Sequence, residues 1–313
     1  MSKLTRISVM SSKGPDSKGY NDIKALNQIN SDYWSEKIEN VLDSAPDIII
    51  LPENCDRFTD FSYKQQLAYI TNGGSIENLI VKMAKKYKTN ITYPGIRIDD
   101  KDYKYPYRNC IRMYGKDGSL VNIYDKNHVM IDENEIGIGY GQDPKVYQLD
   151  KIRIASGICF DLNFDTLIEA YKPQNPELII FSSNYHGGLK QDQWAYSLRS
   201  YMASAITNNT SRIINPFGDV IACTTNYYDH VTAEVNLDFE IVHLDYNIHK
   251  IKQAKRKFKQ SLTVYDPGNV ATVLLTYEDN DRCIKDVLNE YEIETYDEYL
   301  KRTIEHRKNH ILI

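Results

Sequence analysis

Long apolar runs are missing from this chain. No stretch approaches the roughly 18 consecutive apolar residues that a membrane-spanning helix needs, and residues 1–14 hold no apolar segment of the secretory type. Both absences lead us to expect a soluble, cytoplasmic protein. An excess of positive charge is missing too: 38 Lys and Arg face 43 Asp and Glu, for a formal net charge of −5. With no broad basic surface to release phosphate counterions, a dedicated nucleic-acid binder is excluded. The one basic run, residues 250–259, alternates with apolar residues and reads as the solvated face of a helix.

Cysteine is sparse and odd in number: Cys55, Cys110, Cys159, Cys223 and Cys283 lie far apart. That pattern suits free thiols in a reducing compartment, not a disulfide framework. Cys-x2-Cys pairs are absent and the glycines form no phosphate-cradling loop, so neither a metal nor a nucleotide cofactor is expected. There is no Gly/Ser/Pro linker, low-complexity tract or solenoid repeat. At 313 residues, 42% apolar and 26% charged, the chain has the composition of an ordinary globular protein large enough for one full core.

What is present is an alternation of strands and helices. Residues 4–10 alternate as a strand, and Tyr33, Trp34, Ile38, Val41 and Leu42 recur at helical spacing. Residues 47–53 form a continuous apolar run, the pattern of a strand buried on both faces. Ser75 reads as an N-cap before Ile76, Leu79, Ile80 and Met83. Further strands are expected over 91–98, 152–158, 178–184 and 270–276, and hairpins around residues 115–118 and 216–219. Helices are expected over 164–171 and 191–205, with a closing helix capped by Thr295 and Glu298. This predicts an α/β domain with mixed sheets over residues 1–241 and a C-terminal extension over 242–313, packed on the same domain or on a dimer partner.

Three strand ends carry residues suited to chemistry. Glu53 ends one buried run, Lys126 another and Cys159 a third, and reactive groups in open α/β sheets collect past the carboxyl ends of strands. Singly, each has a plain reading as a solvated turn residue or a small core residue. Together they supply a base, a cation and a nucleophile, which cover the charges that develop during acyl transfer. A Cys159–His dyad using His186 or His128 is the rival arrangement.

The local sequences resemble the carbon–nitrogen hydrolase family, the nitrilase superfamily. The likeness lies in Asp-Ile-Ile-Ile-Leu-Pro-Glu53, in Tyr124-Asp125-Lys126-Asn127-His128 and in Gly157-Ile158-Cys159-Phe160-Asp161, reinforced by residues 178–183 and 211–219. It spans residues 4–240. The resemblance implies a four-layer α-β-β-α sandwich with two mixed sheets and a metal-free Glu-Lys-Cys triad. In it Glu53 is the base, Cys159 the nucleophile and Lys126 the donor to the tetrahedral intermediate. The Phe160 N–H would complete the oxyanion hole, and Glu133, with Glu135 as the alternative, would be the second glutamate. Cys-Phe-Asp leans toward amide or carbamoyl substrates over nitriles. Asn184, Tyr185 and His186 are candidate substrate contacts, and relatives imply a homodimer or larger homo-oligomer. Residues 199–203 depart from the family pattern, which suggests a shortened sheet edge there.

The expectation is hydrolysis of a small amide or N-carbamoyl compound through a thioester on Cys159. A catalytically silent binding module and an acyltransferase using the same triad are the alternatives.

Overall fold

The computed structural model describes residues 2–311, which divide into two compact units: residues 5–234, and residues 2–4 with 235–311. The first unit is organised by two six-stranded sheets. In one, β1 (Leu4–Met10), β2 (Ile48–Ile50), β3 (Asn90–Ile98), β4 (Tyr107–Tyr114) and β5 (Leu120–Asp125) lie side by side in that order. β1 to β3 are parallel, and β3 to β5 continue antiparallel. The change of direction follows from the connections. Helix α1 (Ile23–Leu42) joins β1 to β2, and the pair α2 (Tyr63–Thr71) and α3 (Glu77–Tyr87) joins β2 to β3. A tight turn joins β4 to β5, and it needs Gly118 at φ +76°, where a side chain would be strained.

After the one-turn helix α4 (Ile131–Glu135), the chain builds the second sheet from β6 (Tyr147–Leu149), β7 (Ile152–Ile158), β8 (Leu178–Ser183), β9 (Tyr201–Ile206), β10 (Arg212–Ile214) and β11 (Val220–Cys223). Its centre, β7 to β9, is parallel, with α5 (Asp165–Tyr171) and α6 (Leu189–Leu198) in the crossovers. β12 (His230–Asn236) then returns to the first sheet beside β1.

The layers are α-β-β-α. Between the sheets, the Ser182 hydroxyl donates to the Leu51 carbonyl at 2.8 Å and the Ser211 hydroxyl to that of Met10 at 3.1 Å. On one outer face, Trp34, Ile38 and Val41 of α1 and Ile80, Met83 and Ala84 of α3 are buried with Met10, Ile49 and Ile91. Each of the larger side chains contributes about 1.5–3 kcal/mol by leaving water. On the other face, the Trp194 ring of α6 packs edge-on to Tyr171 of α5.

Several expectations change in detail. The run over 47–53 is a strand only at Ile48–Ile50. Beyond it the Leu51 N–H donates to the Thr92 side chain, so side chains take over the bonding as the chain leaves the sheet. α1 begins at Ile23, capped by Asp22, well before Tyr33. The helix expected over 191–205 ends at Leu198; Arg199 turns left-handed at φ +49°, and Tyr201–Ile206 is β9, buried at all six positions. A run buried on both faces shows no alternation, so periodicity does not separate it from a helix. The expected shortening of this edge is corrected with it, since β9 supplies the strand that seemed missing. α2 fills part of a stretch that shows no apolar periodicity.

The C-terminal unit has its own three-stranded antiparallel sheet, ordered β13 (Phe239–His243), β15 (Thr272–Tyr277), β14 (Leu262–Tyr265). Helices α7 (Ile248–Phe258) and α8 (Ile284–Glu290) bury Ile251, Ala254, Ile284, Val287 and Leu288 with Val242, Val273 and Leu275. β13 straddles the sequence division at 241/242 and pairs within this unit. α9 (Tyr296–His310) starts at the Thr295–Glu298 capping box. It carries His306 and His310 one turn apart, a His-x3-His spacing that weakens the sequence argument against metal. Their rings stack at 4.1 Å. Among the described residues no group of three or more His, Cys, Asp or Glu side chains is placed to hold a metal ion.

Candidate active site

Glu53 stands three residues beyond β2, where the chain has left the sheet and starts the turn that leads to α2. Its side chain is 2% exposed. A buried carboxylate needs donors on both oxygens, and it has them. Oε1 accepts from the Asn109 amide at 2.8 Å and lies 3.5 Å from Lys126 Nζ. Oε2 accepts from the backbone N–H and the side-chain amide of Asn184, each at 2.9 Å.

Lys126 follows β5 directly and is 1% exposed. Its ammonium donates to Glu133 Oε2 at 2.8 Å. Glu133 lies on α4, where Oε2 also accepts the Met130 N–H at 3.0 Å and Oε1 lies 3.4 Å from the Tyr63 hydroxyl. Glu133 is buried and Glu135 exposed, so the geometry selects Glu133 as the lysine's partner. Burial disfavours the Lys126 charge, but Glu53, Glu133 and Cys159 outweigh it, and the ammonium's pKa is raised.

Cys159 sits at the exit of β7 with φ +48°, a left-handed conformation costing a non-glycine residue about 1–3 kcal/mol. The strain turns the chain sharply into a 3-10 turn over Cys159–Asn163. Phe160 is the second residue of that turn, and the first N–H groups of a helical turn have no acceptor within it. Burial, then the Glu53 carboxylate, push the Cys159 thiol up to about 12, while Lys126, the Ser183 hydroxyl and the Asn184 N–H act to lower it. At rest Cys159 therefore carries a neutral thiol under the influence of the Glu53 carboxylate.

Asp161, fully buried, ties the cysteine turn to the lysine segment. Oδ2 accepts from the Ile158 N–H at 3.0 Å and the Tyr124 hydroxyl at 2.7 Å. Oδ1 accepts from the His128 N–H at 2.7 Å. Tyr124 and His128 flank Lys126 by two residues on either side, so one carboxylate fixes the thiol turn against the ammonium's own strand.

The other expected residues fall into place as follows. Asn184 holds Glu53 with both of its N–H groups. Tyr185 is exposed, its hydroxyl 3.4 Å from Asn163. His186 Nδ1 accepts the Gly188 N–H at 3.1 Å, and burial together with Arg212 lowers its pKa. The His128 ring stacks on Phe164 at 3.7 Å. The main influences on the Cys159 thiol are burial, Glu53, Lys126, Ser183 and Asn184. Sequence reasoning missed Asn109, Tyr63 and the part played by Asp161. β4 carries Arg108 and Arg112 besides Asn109, so its sequence did not single Asn109 out, whereas the Ser62–Gln65 capping box was a signal for α2, which carries Tyr63.

A buried carboxylate, a buried amine and a half-buried thiol at or just past the strand ends of an α-β-β-α sandwich define the class of protein to which the chain is compared. The family model for carbon-nitrogen hydrolase matches residues 27–239, and the chain belongs to this family. Among curated relatives, the omega-amidase NIT2 of Xenopus tropicalis is 23% identical over 228 residues, covering 64% of this chain and 81% of that protein. The omega-amidase NIT2 of Homo sapiens is 23% identical over 235 residues, covering 67% and 80%.

Among solved structures, the C. elegans NitFhit protein aligns with a TM-score of 0.63 at 17% identity, over 82% of this chain and 65% of that one. Saccharomyces cerevisiae Nit3, a member of the nitrilase superfamily, gives 0.62 at 17% identity, over 82% and 96%. The amidase of Nesterenkonia sp. AN1, as a mutant in complex with acrylamide, gives 0.60 at 12% identity, over 74% and 90%. At these identities the structural likeness speaks for the fold.

Proposed function

We propose that this carbon–nitrogen hydrolase cleaves the C–N bond of a small amide or N-carbamoyl compound through a thioester on Cys159. The observation that carries the proposal is the contact of buried Glu53 and Lys126, both acting electrostatically on the Cys159 thiol.

Glu53 accepts the thiol proton as sulfur bonds to the carbonyl carbon, so a thiolate forms only at the moment of attack. The Lys126 ammonium and the Phe160 N–H donate to the oxygen that gains charge. Collapse breaks the C–N bond, and the nitrogen leaves with the proton from Glu53. Glu53 then takes a proton from water as the water oxygen attacks the thioester, and returns it to the departing sulfur. Glu133 positions the ammonium, and Asn109 and Asn184 position the base. The names of the omega-amidase relatives and of the Nesterenkonia amidase support the amide reading.

Intact-protein mass spectrometry after brief incubation with amides, carbamoyl compounds and nitriles tests this. An acyl mass mapped to Cys159 in the wild type, absent from Cys159→Ala, is the expected result. No adduct and no turnover would favour a silent binding module. Acyl transfer to an added amine in preference to water would favour the transferase alternative.

A further inference from the structure

β8 is apolar from Leu178 to Phe181 and closes on two serines, both fully buried. A buried hydroxyl needs a partner, and Ser182 has a structural one, the Leu51 carbonyl of the facing sheet. Ser183 has a different neighbour. β7 and β8 run parallel, and their pairing ends with Ile158 opposite Ser182. Cys159 and Ser183 are the next residues on the two strands, so thiol and hydroxyl leave the sheet side by side. Hydrogen bonding from that hydroxyl and from the Asn184 N–H acts to lower the thiol's pKa. The same Asn184 N–H donates to Glu53 Oε2 at 2.9 Å, which places the carboxylate and the sulfur around one backbone donor.

A serine hydroxyl has one hydrogen and two lone pairs. Ser183 Oγ accepts the Tyr185 N–H at 2.9 Å and donates to the Tyr185 carbonyl at 2.7 Å. The carbonyl keeps that hydrogen while the neighbouring sulfur is neutral, because a neutral sulfur is a weak acceptor. A sulfur anion reverses the preference, since a hydrogen bond to a charged acceptor is about twice as strong as one between neutral groups. Rotation about one bond carries the hydrogen from carbonyl to sulfur, and a lone pair of Oγ still receives the Tyr185 N–H.

We propose that Ser183 is a further catalytic residue, whose hydroxyl turns from the Tyr185 carbonyl to donate to the Cys159 sulfur whenever that sulfur carries negative charge. This rests on the thioester reading above. Sulfur gains charge as Glu53 removes the thiol proton, and again as the C–S bond breaks and leaves its electron pair on sulfur. In both steps the hydroxyl holds the charge by a hydrogen bond and keeps its own proton, while the transferred proton travels between sulfur and Glu53. The bond is made in neither the thiol nor the thioester, so it favours the steps that connect them.

Iodoacetamide alkylation of Cys159, followed by mass spectrometry from pH 7 to 10, reads the thiol without turnover. Loss of the donor raises the thiol pKa and leaves less thiolate at each pH. Ser183→Ala should therefore alkylate roughly 3- to 10-fold more slowly than wild type, the scale of one such hydrogen bond. Its kcat on an amide that acylates Cys159 should fall by a similar factor with KM little changed.

A merely structural Ser183 would act by loosening the Tyr185 loop and, through Asn184, the hold on Glu53. Repeating the comparison in a Glu53→Gln background removes that route, and the same slowing is expected there. Alkylation unchanged by Ser183→Ala, slowing that disappears in the Glu53→Gln background, or an unchanged kcat would overturn the proposal. Slowing in both backgrounds, combined with no acylation of Cys159 by any amide, would keep the sulfur donor and overturn the hydrolase reading instead.

Discussion

Glu53 has two opposite effects on Cys159, and they can be separated by one substitution. In the resting site its negative charge helps hold the thiol near 12. In the reaction we propose, it is the proton acceptor. Glu53→Gln keeps the side chain's shape and removes the charge, so the thiol pKa should fall while turnover drops by about 10²–10⁴-fold, the usual contribution of a positioned base. The sign follows directly: a lower pKa means more thiolate at a given pH above neutrality. Iodoacetamide should therefore alkylate Cys159 faster in Glu53→Gln than in wild type across pH 7–10, although the variant is less active. Slower alkylation would show that Glu53 activates the resting thiol instead of suppressing it.

The three residues stood out in the sequence because each follows a strand, Lys126 and Cys159 directly and Glu53 three residues on. Asn109 and Asn184 were harder to read. Their roles depend on which way a strand faces and on a loop reaching across to the other sheet, and neither is written in local sequence.

Among the elements, the turn after β7 and the segment after β5 are joined through Asp161. Four groups meet this one fully buried carboxylate: two backbone N–H groups, the Tyr124 hydroxyl and, at 3.3 Å, the His128 ring. Asp161→Asn replaces an acceptor-only group with one that is half donor, which leaves a buried N–H donor unsatisfied. We expect a loss of about 1–3 kcal/mol by denaturant unfolding. We also expect a fall in kcat with KM little changed, since the thiol turn loses its alignment with Lys126.

Most elements were visible beforehand, and the exceptions have physical causes. α6 and β9 read as one helix because Trp194, Leu198 and Met202 recur every four residues, and only the left-handed Arg199 breaks the pattern. The first turns of α1 were hidden because a polar residue, Asn30, faces its core. There its amide donates to the Asp56 carbonyl at 2.6 Å.

At the scale of the whole first unit, Asp229 gathers segments far apart in sequence. Its carboxylate accepts from Lys37 of α1 at 2.5 Å and from the Ser12 hydroxyl at 2.7 Å, and its carbonyl accepts the Ser11 N–H at 2.7 Å. The Asn208 N–H, just past β9, donates to the Ser11 carbonyl at 2.7 Å, so the cluster touches both sheets. Burial opposes the Asp229 charge, but the bonds from Lys37, Ser12 and His230 prevail and lower its pKa to about 2. A carboxyl depressed on folding adds stability above its unfolded value near 4. That stability is lost as the pH falls from about 4 through 2. Asp229→Asn should accordingly be less stable than wild type at pH 6, and the gap should close toward pH 2 in thermal melts. A gap independent of pH would assign the loss to packing.

The groups of the proposed site come from opposite sides of the sandwich. Asn109 lies in the sheet that begins with β1, with Glu53 and Lys126 past the ends of its strands β2 and β5, whereas Cys159 and Asn184 follow β7 and β8 of the other sheet. Neither sheet alone carries a base next to a thiol. The pairing of base and thiol that the proposed reaction needs is therefore made only when the two sheets close on each other, and the same closure takes the thiol out of water and raises its pKa.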